Sequence, residues 1–360
     1  TRASSNQSPY FKSFVAKEFY NLDLVKEDDT PYDLDLDGLT VYTTLDLLLQ
    51  EKAEAAVRKH MTRLQKQFQQ SWKEKGIYDN NHPALQAHLH RYSKGKTEDA
   101  KQVVSNLSSE KREMKIWSWE GVTKKELSTL DSIKHYLRLL QTGFLAMEVQ
   151  TSEIRAWIGG INHEFFKYDH VLAKRQPGST FKPLVYLEAL EQGISPCEYF
   201  ANDSIVYEAF DNWTPRNADR SYGGYYSMKG ALVHSVNTVS VDLLMQVGID
   251  SVLELSRKAG IASSLPEVPS LALGTGAVSL LEMMKVYQAM ANMGVAKDPV
   301  YITRIEDRNG RVLVDRLPAD DGVAICSPEN AALMLGMLKG VVDEGTAAGL
   351  RMKYHLYEDM

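Results

Sequence analysis

Arg175-Gln176-Pro177-Gly178-Ser179-Thr180-Phe181-Lys182-Pro183 is the stretch on which the reading of this chain turns. Pro177 and Gly178 interrupt whatever precedes them. From Thr180 to Gln192 the apolar residues Phe181, Leu184, Val185, Leu187 and Leu190 recur at helical spacing, and Gly193 is placed to end the helix. Ser179 therefore stands at a helix start, with Lys182 three residues on and on the same face of the first turn, within reach of the Ser179 hydroxyl. A serine hydroxyl is a poor nucleophile until a base takes its proton, and a lysine is that base only while neutral. The helix dipole disfavours a cation in the first turn, and the apolar run desolvates it, so both features lower the Lys182 pKa. The Ser179 N–H is a candidate oxyanion donor. Pro183, which lacks the N–H that would bond the Ser179 carbonyl, predicts an irregular first turn.

The same spacing recurs in Ser93 with Lys96 and in Ser108 with Lys111, both in charged, solvated surroundings. Only Ser179 has the chain break, the helix start and the apolar helix behind it. On spacing alone, an exposed first-turn Ser and Lys with no chemical role remains an open reading.

A helix beginning near Met228 arrives at His234-Ser235-Val236-Asn237-Thr238. Ser235 and Asn237, two apart, point the same way from a turn between apolar helices. A hydroxyl there can relay a proton between Lys182 and a leaving amine, while the Asn amide can hold Lys182 or a substrate carbonyl. Ser-x-Asn is weak by itself, since Ser4-Ser5-Asn6 also fits; its place between apolar helices gives it weight. His234 ranks as a neighbour because no carboxylate with triad context adjoins it. Asn212-Trp213-Thr214-Pro215-Arg216-Asn217 and Gly223-Gly224-Tyr225-Tyr226-Ser227 precede this turn. Trp213 either lines a peptide groove or packs within its loop, and Asn217 and Thr238 are further candidate substrate contacts.

In order along the chain, these motifs resemble the class A, bifunctional penicillin-binding proteins: Pro-Gly-Ser-Thr-Phe-Lys-Pro at the nucleophile, Ser-Val-Asn at the second motif, and Leu273-Gly274-Thr275-Gly276 later on. Gly38-Leu39-Thr40-Val41-Tyr42-Thr43-Thr44-Leu45-Asp46 is similar to the segment this family carries between its glycosyltransferase and transpeptidase domains. The resemblance covers roughly residues 38–350. It implies a mixed α/β penicillin-binding and serine β-lactamase-like transpeptidase fold, a helical subdomain against an antiparallel sheet. It also implies DD-transpeptidation through an acyl-enzyme on Ser179, with Lys182, Ser235 and Asn237 completing the catalytic set and Trp213, Asn217 and Thr238 at the substrate. The implied partners are peptidoglycan stem peptides on a lipid-linked precursor, β-lactam antibiotics and other cell-wall synthesis proteins. No cofactor or metal is called for. The implied location is the bacterial cell envelope, on the outer face of the cytoplasmic membrane, with an anchor and a glycosyltransferase preceding Thr1. Two rival functions stay open: a serine hydrolase, either a DD-carboxypeptidase or β-lactamase-like, and a catalytically inactive envelope scaffold. No clear Glu loop for a deacylating water is present.

The 360 residues carry 41 basic against 47 acidic side chains, a net charge of −6, with no basic block to suggest nucleic acid. No stretch approaches the roughly 18 apolar residues needed to span a bilayer, so any membrane attachment lies in a segment outside this chain. Residues 1–38 read as a linker with local order following a glycosyltransferase domain. Residues 39–142 read as a linker strand, a long helix from Ala53 through Trp72 stopped at Gly76, and a polar insertion with a possible strand at Met114–Trp119. His82, His88 and His90 in that insertion read as solvated. Residues 143–360 read as the transpeptidase domain, opened by paired strands at Gly143–Val149 and Glu153–Gly160. Further on come helices at Ser251–Gly260 and Ser327–Val342 and a hairpin around Arg308-Asn309-Gly310. Gly274-Thr275-Gly276 lacks the continuation of a phosphate loop or dinucleotide fold. Cys197 and Cys326 have no metal-ligand spacing and read as two quiet thiols, with a single disulfide as the other reading. Lys-Thr-Gly or Lys-Ser-Gly, the third motif of the family, occurs nowhere in the chain. The resemblance therefore implies a domain incomplete at its C-terminus. Its sheet would lack the strands that carry the carboxylate-binding cation and the second oxyanion donor, whose loss costs on the order of 10²- to 10³-fold in rate.

Overall fold

A computed structural model describes residues 7–73, 83–92, 100–315 and 322–357. The N-terminal half runs α1 (Pro9–Tyr20), β1 (Thr40–Thr43), α2 (Leu47–Lys73), α3 (Pro83–Tyr92), α4 (Ala100–Ser109), β2 (Lys111–Ser118), β3 (Gly121–Ser128), α5 (Thr129–Leu137), β4 (Phe144–Met147) and β5 (Ile154–Ile158). Then follow α6 (Lys182–Glu191), β6 (Tyr199–Ala201), β7 (Tyr225–Ser227), α7 (Met228–Val233), α8 (Asn237–Val247), α9 (Ile249–Lys258) and α10 (Leu280–Ala291). The chain continues through β8 (Val295–Ala296), β9 (Ile302–Glu306), β10 (Val312–Asp315), β11 (Val323–Ala324), α11 (Pro328–Asp343) and α12 (Gly349–Tyr354). The architecture is mixed, a helical body set against antiparallel strands. Among the described residues no helix is long and apolar enough to cross a membrane.

α6 is the axis of the helical body. It is apolar nearly all round, as a helix must be when neighbours enclose it, and α7, α8, α9 and α11 pack on it. Leu184, Val185, Tyr186, Leu187 and Ala189 have no exposed surface, and they join Val239, Leu243, Leu244 and Val252 from the surrounding helices in the largest core. Glu282 secures the body's edge. Its carboxylate accepts from the N–H and hydroxyl of Ser279, completing a capping box on α10, and reaches Ala262 N–H and both Ser263 donors.

The second core lies between helices and strands. β4 and β5 pair antiparallel through Leu145↔Trp157 and Ala146↔Ala156, as expected for the opening strands. A two-stranded pair is marginal alone; this one is sandwiched by α10 on β4 and by α1 and α2 on β5. Residues 1–38, read as linker with local order, contain α1, whose Phe11, Phe14 and Phe19 are buried against Trp157, Ile302 and Ile305. Phe14 stacks on Trp157 at 4.5 Å between ring centroids. Gln50 of α2 closes the outer edge of β5: its Oε1 accepts the Trp157 N–H at 2.8 Å and its Nε2 donates to the Trp157 carbonyl at 3.0 Å. The cap of α2 is Asp46, whose Oδ1 accepts the Leu49 N–H. Thr44, two residues earlier, donates to the carbonyls of Ile154 and Val300.

β1, β9 and β10 form a three-stranded sheet, and the hairpin read at Arg308-Asn309-Gly310 joins β9 to β10 with Gly310 at φ +81°. The strand expected near Met114–Trp119 is β2, and it has a partner, β3, that the sequence reading did not include. Cys197 is exposed and Cys326 buried, both as free thiols, so the single-disulfide reading is set aside. Gly76, His82, Ser93 with Lys96, Ser4-Ser5-Asn6 and the side chains of His88 and His90 lie outside the described residues.

Candidate active site

The irregular turn expected at the nucleophile is a 3-10 turn over Gly178–Phe181. Because Pro183 has no N–H to offer, the Ser179 carbonyl is taken one residue earlier, by the Lys182 N–H. The turn is held on both sides. Thr180 Oγ1 donates to the Pro177 carbonyl at 2.8 Å, and the Tyr287 hydroxyl of α10 donates to the Thr180 carbonyl at 3.0 Å. Arg175 and Val278 exchange both backbone hydrogen bonds, and Gly178 N–H donates to the Gly274 carbonyl at 3.3 Å. Gly274 itself sits at φ +70°, where a Cβ would overlap the Gly178 backbone. Only glycine allows that approach. Ser179 is left exposed at the lip of the helix. A cavity of about 450 Å³ lies on the α10 side of this turn, with Thr180, Met283, Met284 and Tyr287 among its walls.

The second turn, Ser235-Val236-Asn237, connects α7 to α8. Ser235 is left-handed at φ +56°, which turns its hydroxyl toward α6. Lys182 Nζ donates to the Ser235 carbonyl at 2.7 Å, to Ser235 Oγ at 3.0 Å and to Asn237 Oδ1 at 2.8 Å. Ser235 Oγ in turn lies 3.0 Å from Ser179 Oγ. The sequence reading expected Ser179 and Lys182 to meet directly; among the described contacts they are joined through the Ser235 hydroxyl instead. Lys182 has no exposed surface, and burial lowers its pKa from 10.5 to about 7. Desolvation is the physical cause, because its partners are neutral and leave the ammonium without a counter-charge. The arrangement is a chain of hydroxyl, hydroxyl and amine, each able to pass a proton by rotation.

Trp213 packs against the main core beside Tyr207, with ring centroids 6.2 Å apart. His234 is exposed and sets its ring edge against Tyr226. Asn217 and Thr238, expected at the substrate, are buried with their polar atoms turned inward. Asn217 Nδ2 donates to Asn202 Oδ1 at 2.7 Å and to the Ser221 carbonyl at 2.8 Å, and Thr238 Oγ1 donates to Asn202 Oδ1 at 2.7 Å. Both side chains, expected as substrate contacts, have their polar groups bonded within the protein in this structure. Of the decoy pairs, Ser108 bonds its own helix at the Val104 carbonyl, and Lys111 begins β2.

Residues 142–357 match the family model described as the penicillin-binding protein transpeptidase domain. The chain belongs to this family. Residues 54–140 match the penicillin-binding protein middle domain, which accounts for the polar segment between α2 and β4. Penicillin-binding protein 1A of Aquifex aeolicus is 32% identical over 328 residues, covering 86% of this chain and 44% of that protein, so the chain spans under half of its relative's length. The structure of penicillin-binding protein 1A from Haemophilus influenzae has the same fold, with TM-score 0.69 and 19% identity over 98% of this chain and 61% of that one. PonA1 of Mycobacterium tuberculosis, solved in complex with penicillin V, superposes with TM-score 0.61 and 20% identity over 92% of this chain and 70% of that one.

Within this transpeptidase domain the sequence reading missed Tyr287 and Asn202. Tyr287 lies in an apolar run that reads as core, and only the fold shows its hydroxyl on the Thr180 carbonyl. Asn202 carries no local signal at all, since its partners Asn217 and Thr238 are distant in sequence. Gly274 was legible as part of Leu-Gly-Thr-Gly, though its reason, contact with the nucleophile turn, was not.

Proposed function

We propose that this chain is the transpeptidase portion of a bifunctional peptidoglycan synthase, acting as a serine DD-transpeptidase on stem peptides. The observation that carries the reading is the buried Lys182 amine bonded to Ser235 and Asn237, with Ser235 in turn on Ser179. Ser179 Oγ attacks the carbonyl carbon of the penultimate D-Ala while its proton passes through the Ser235 hydroxyl to neutral Lys182. The Ser179 N–H, at the start of the turn, is a donor for the oxyanion. Collapse breaks the peptide bond, and the proton returns along the same path to the departing D-Ala amine. An amine of a neighbouring stem then attacks the ester, giving up its proton to the same relay as Ser179 leaves. A β-lactam presents the same kind of carbonyl and acylates the same oxygen. The parent protein's glycosyltransferase activity, its membrane attachment and its place on the outer face of the cytoplasmic membrane are part of this proposal, supported by the penicillin-binding protein 1A relatives.

The test is run on the full-length gene product with a stem pentapeptide ending in D-Ala-D-Ala, with and without an acceptor amine. Expected are D-Ala release and a cross-linked product by mass spectrometry, both abolished in Ser179→Ala. Hydrolysed tetrapeptide as the sole product would favour a carboxypeptidase, and no turnover at all would favour a scaffold.

A further inference from the structure

The start of α8 raises a local problem. The first N–H groups of a helix have no partner within it, and the residue before α8, Val236, has no side-chain oxygen to cap them. The cap comes from elsewhere. Asn217, in the loop between β6 and β7, brings its Oδ1 to the Asn237 N–H at 2.9 Å and to the Thr238 N–H at 3.3 Å. Its preceding carbonyl, that of Arg216, accepts the Asn237 Nδ2–H at 2.8 Å. Two adjacent loop residues thus hold Asn237 at both its backbone and its amide.

The second bond also decides which way the Asn237 amide faces. A carbonyl only accepts, so Nδ2 must lie toward Arg216 and Oδ1 toward Lys182, where it stands at 2.8 Å from Nζ. Asn217 is oriented in the same manner. Asn202 Oδ1 and the Ser221 carbonyl both require its NH2 group, which leaves its oxygen for the helix. Asn202 is fixed from a second side by the Thr238 hydroxyl, and its own backbone pairs with Gly223 and Gly224. The result is a chain of three hydrogen-bonded amides, Asn202 and Asn217 buried and Asn237 partly so, ending on the amine beside the nucleophile.

We propose that Asn217 is a positioning residue for the Ser179 chemistry, capping α8 so that Asn237 and Ser235 stay locked on Lys182. This deepens the transpeptidase reading and rests on it. Asn217 does not touch the reacting atoms; it is buried and its amide is fully engaged. Without the cap, the Ser235-Val236-Asn237 turn retains its tie through Ser240 Oγ to the Val236 carbonyl but loses the bonds at Asn237 N and Thr238 N. The turn then loosens at the end that faces Lys182, and water reaches the amine.

The experiment measures the rate constant for acylation by a fluorescent penicillin across pH 5 to 9, on the full-length protein, for wild type, Asn217→Ala, Asn217→Asp and Gln65→Ala. The Asp variant keeps the capping oxygen. Gln65, buried on α2 and bonded to Arg138 and Leu140, is the control for a destabilised protein with an untouched site. Asn217→Ala is expected to lower the plateau rate at least tenfold and move the pH midpoint upward, with Gln65→Ala unchanged; Asn217→Asp, which keeps the capping oxygen but sets its other oxygen against the Asn202 and Ser221 acceptors, is expected to fall below wild type as well. A lower melting temperature for Asn217→Ala with wild-type rate and midpoint would overturn the proposal. Should Asn217→Ala not fold, Asn202→Ala must shift rate and midpoint the same way, and wild-type behaviour there overturns it equally. If wild type takes no penicillin, the transpeptidase reading itself falls. The positioning claim is then decided by the pH midpoint of amine labelling at Lys182, and a midpoint unchanged in Asn217→Ala refutes it.

Discussion

Replacing Lys182 by methionine separates the cost of burying this amine from everything else in the fold. In the native state its pKa is about 7, against 10.5 when solvated. The sign follows from proton counting. Between those values the unfolded chain binds a proton that the native chain does not, so wild-type stability rises with pH through this window. Below pH 7 both states are protonated and the contribution is flat at its least favourable value. The full interval corresponds to roughly 4 to 5 kcal/mol at about 1.36 kcal/mol per pH unit. Between pH 6 and pH 9 roughly 2 to 3 kcal/mol of that is recovered. Methionine has a similar length and no charge, so it removes the titration while leaving other ionisable groups in place. Its loss of hydrogen bonds to Ser235 and Asn237 is the same at every pH. Urea unfolding of wild type and Lys182→Met at pH 6, 7, 8 and 9 should show a stability difference that moves in favour of wild type by roughly 2 to 3 kcal/mol across the series. Parallel curves, with a difference constant to within about 0.5 kcal/mol, would refute the claim that Lys182 is held neutral by its surroundings. The consequence for chemistry is large. At pH 7 about half of such amines are free bases, compared with roughly one in several thousand for an ordinary lysine.

Gln50→Ala leaves the Trp157 N–H and carbonyl without partners at the edge of β5, and a loss of about 2 to 3 kcal/mol in urea unfolding is expected, with Ser179 reactivity retained. Gly274→Ala, at φ +70° and against the Gly178 backbone, costs at least about 1 to 2 kcal/mol. It also displaces the nucleophile turn, so penicillin acylation should fall more steeply than the melting temperature; wild-type acylation in that variant would show that the turn tolerates the shift.

How much was legible follows from where each signal lives. The turn at Ser179 was readable because Pro177, Gly178 and Pro183 act locally, through fixed φ and a missing donor. The apolar helices were readable from their period, and α6 ends before Gly193 as the sequence suggests, though it begins at Lys182 after a 3-10 turn rather than at Thr180. The packing of α1 was not. Its aromatic residues sit in a segment whose acidic remainder looks like a linker, and their partner Trp157 is far along the chain. β3 was missed because Val122 through Glu126 are exposed on both faces and three of them, Lys124, Lys125 and Glu126, are charged, so no apolar alternation marks it. The relay through Ser235 was anticipated as a role but not as a bridge. Which of two hydroxyls a lysine reaches depends on a left-handed residue in a distant turn. The inward turn of Asn217 and Thr238 had no sequence signal, since an amide's direction is set by tertiary partners that no local pattern encodes.

The claim at the centre of this account is that Ser179 becomes covalently acylated with Lys182 as its base. Incubating the full-length protein with a fluorescent penicillin and mapping the adduct by peptide mass spectrometry tests it most directly. The account predicts one modified peptide, carrying the acyl group on Ser179, absent in Ser179→Ala and suppressed by orders of magnitude in Lys182→Met. A label on another residue, or undiminished labelling in Lys182→Met, would contradict it.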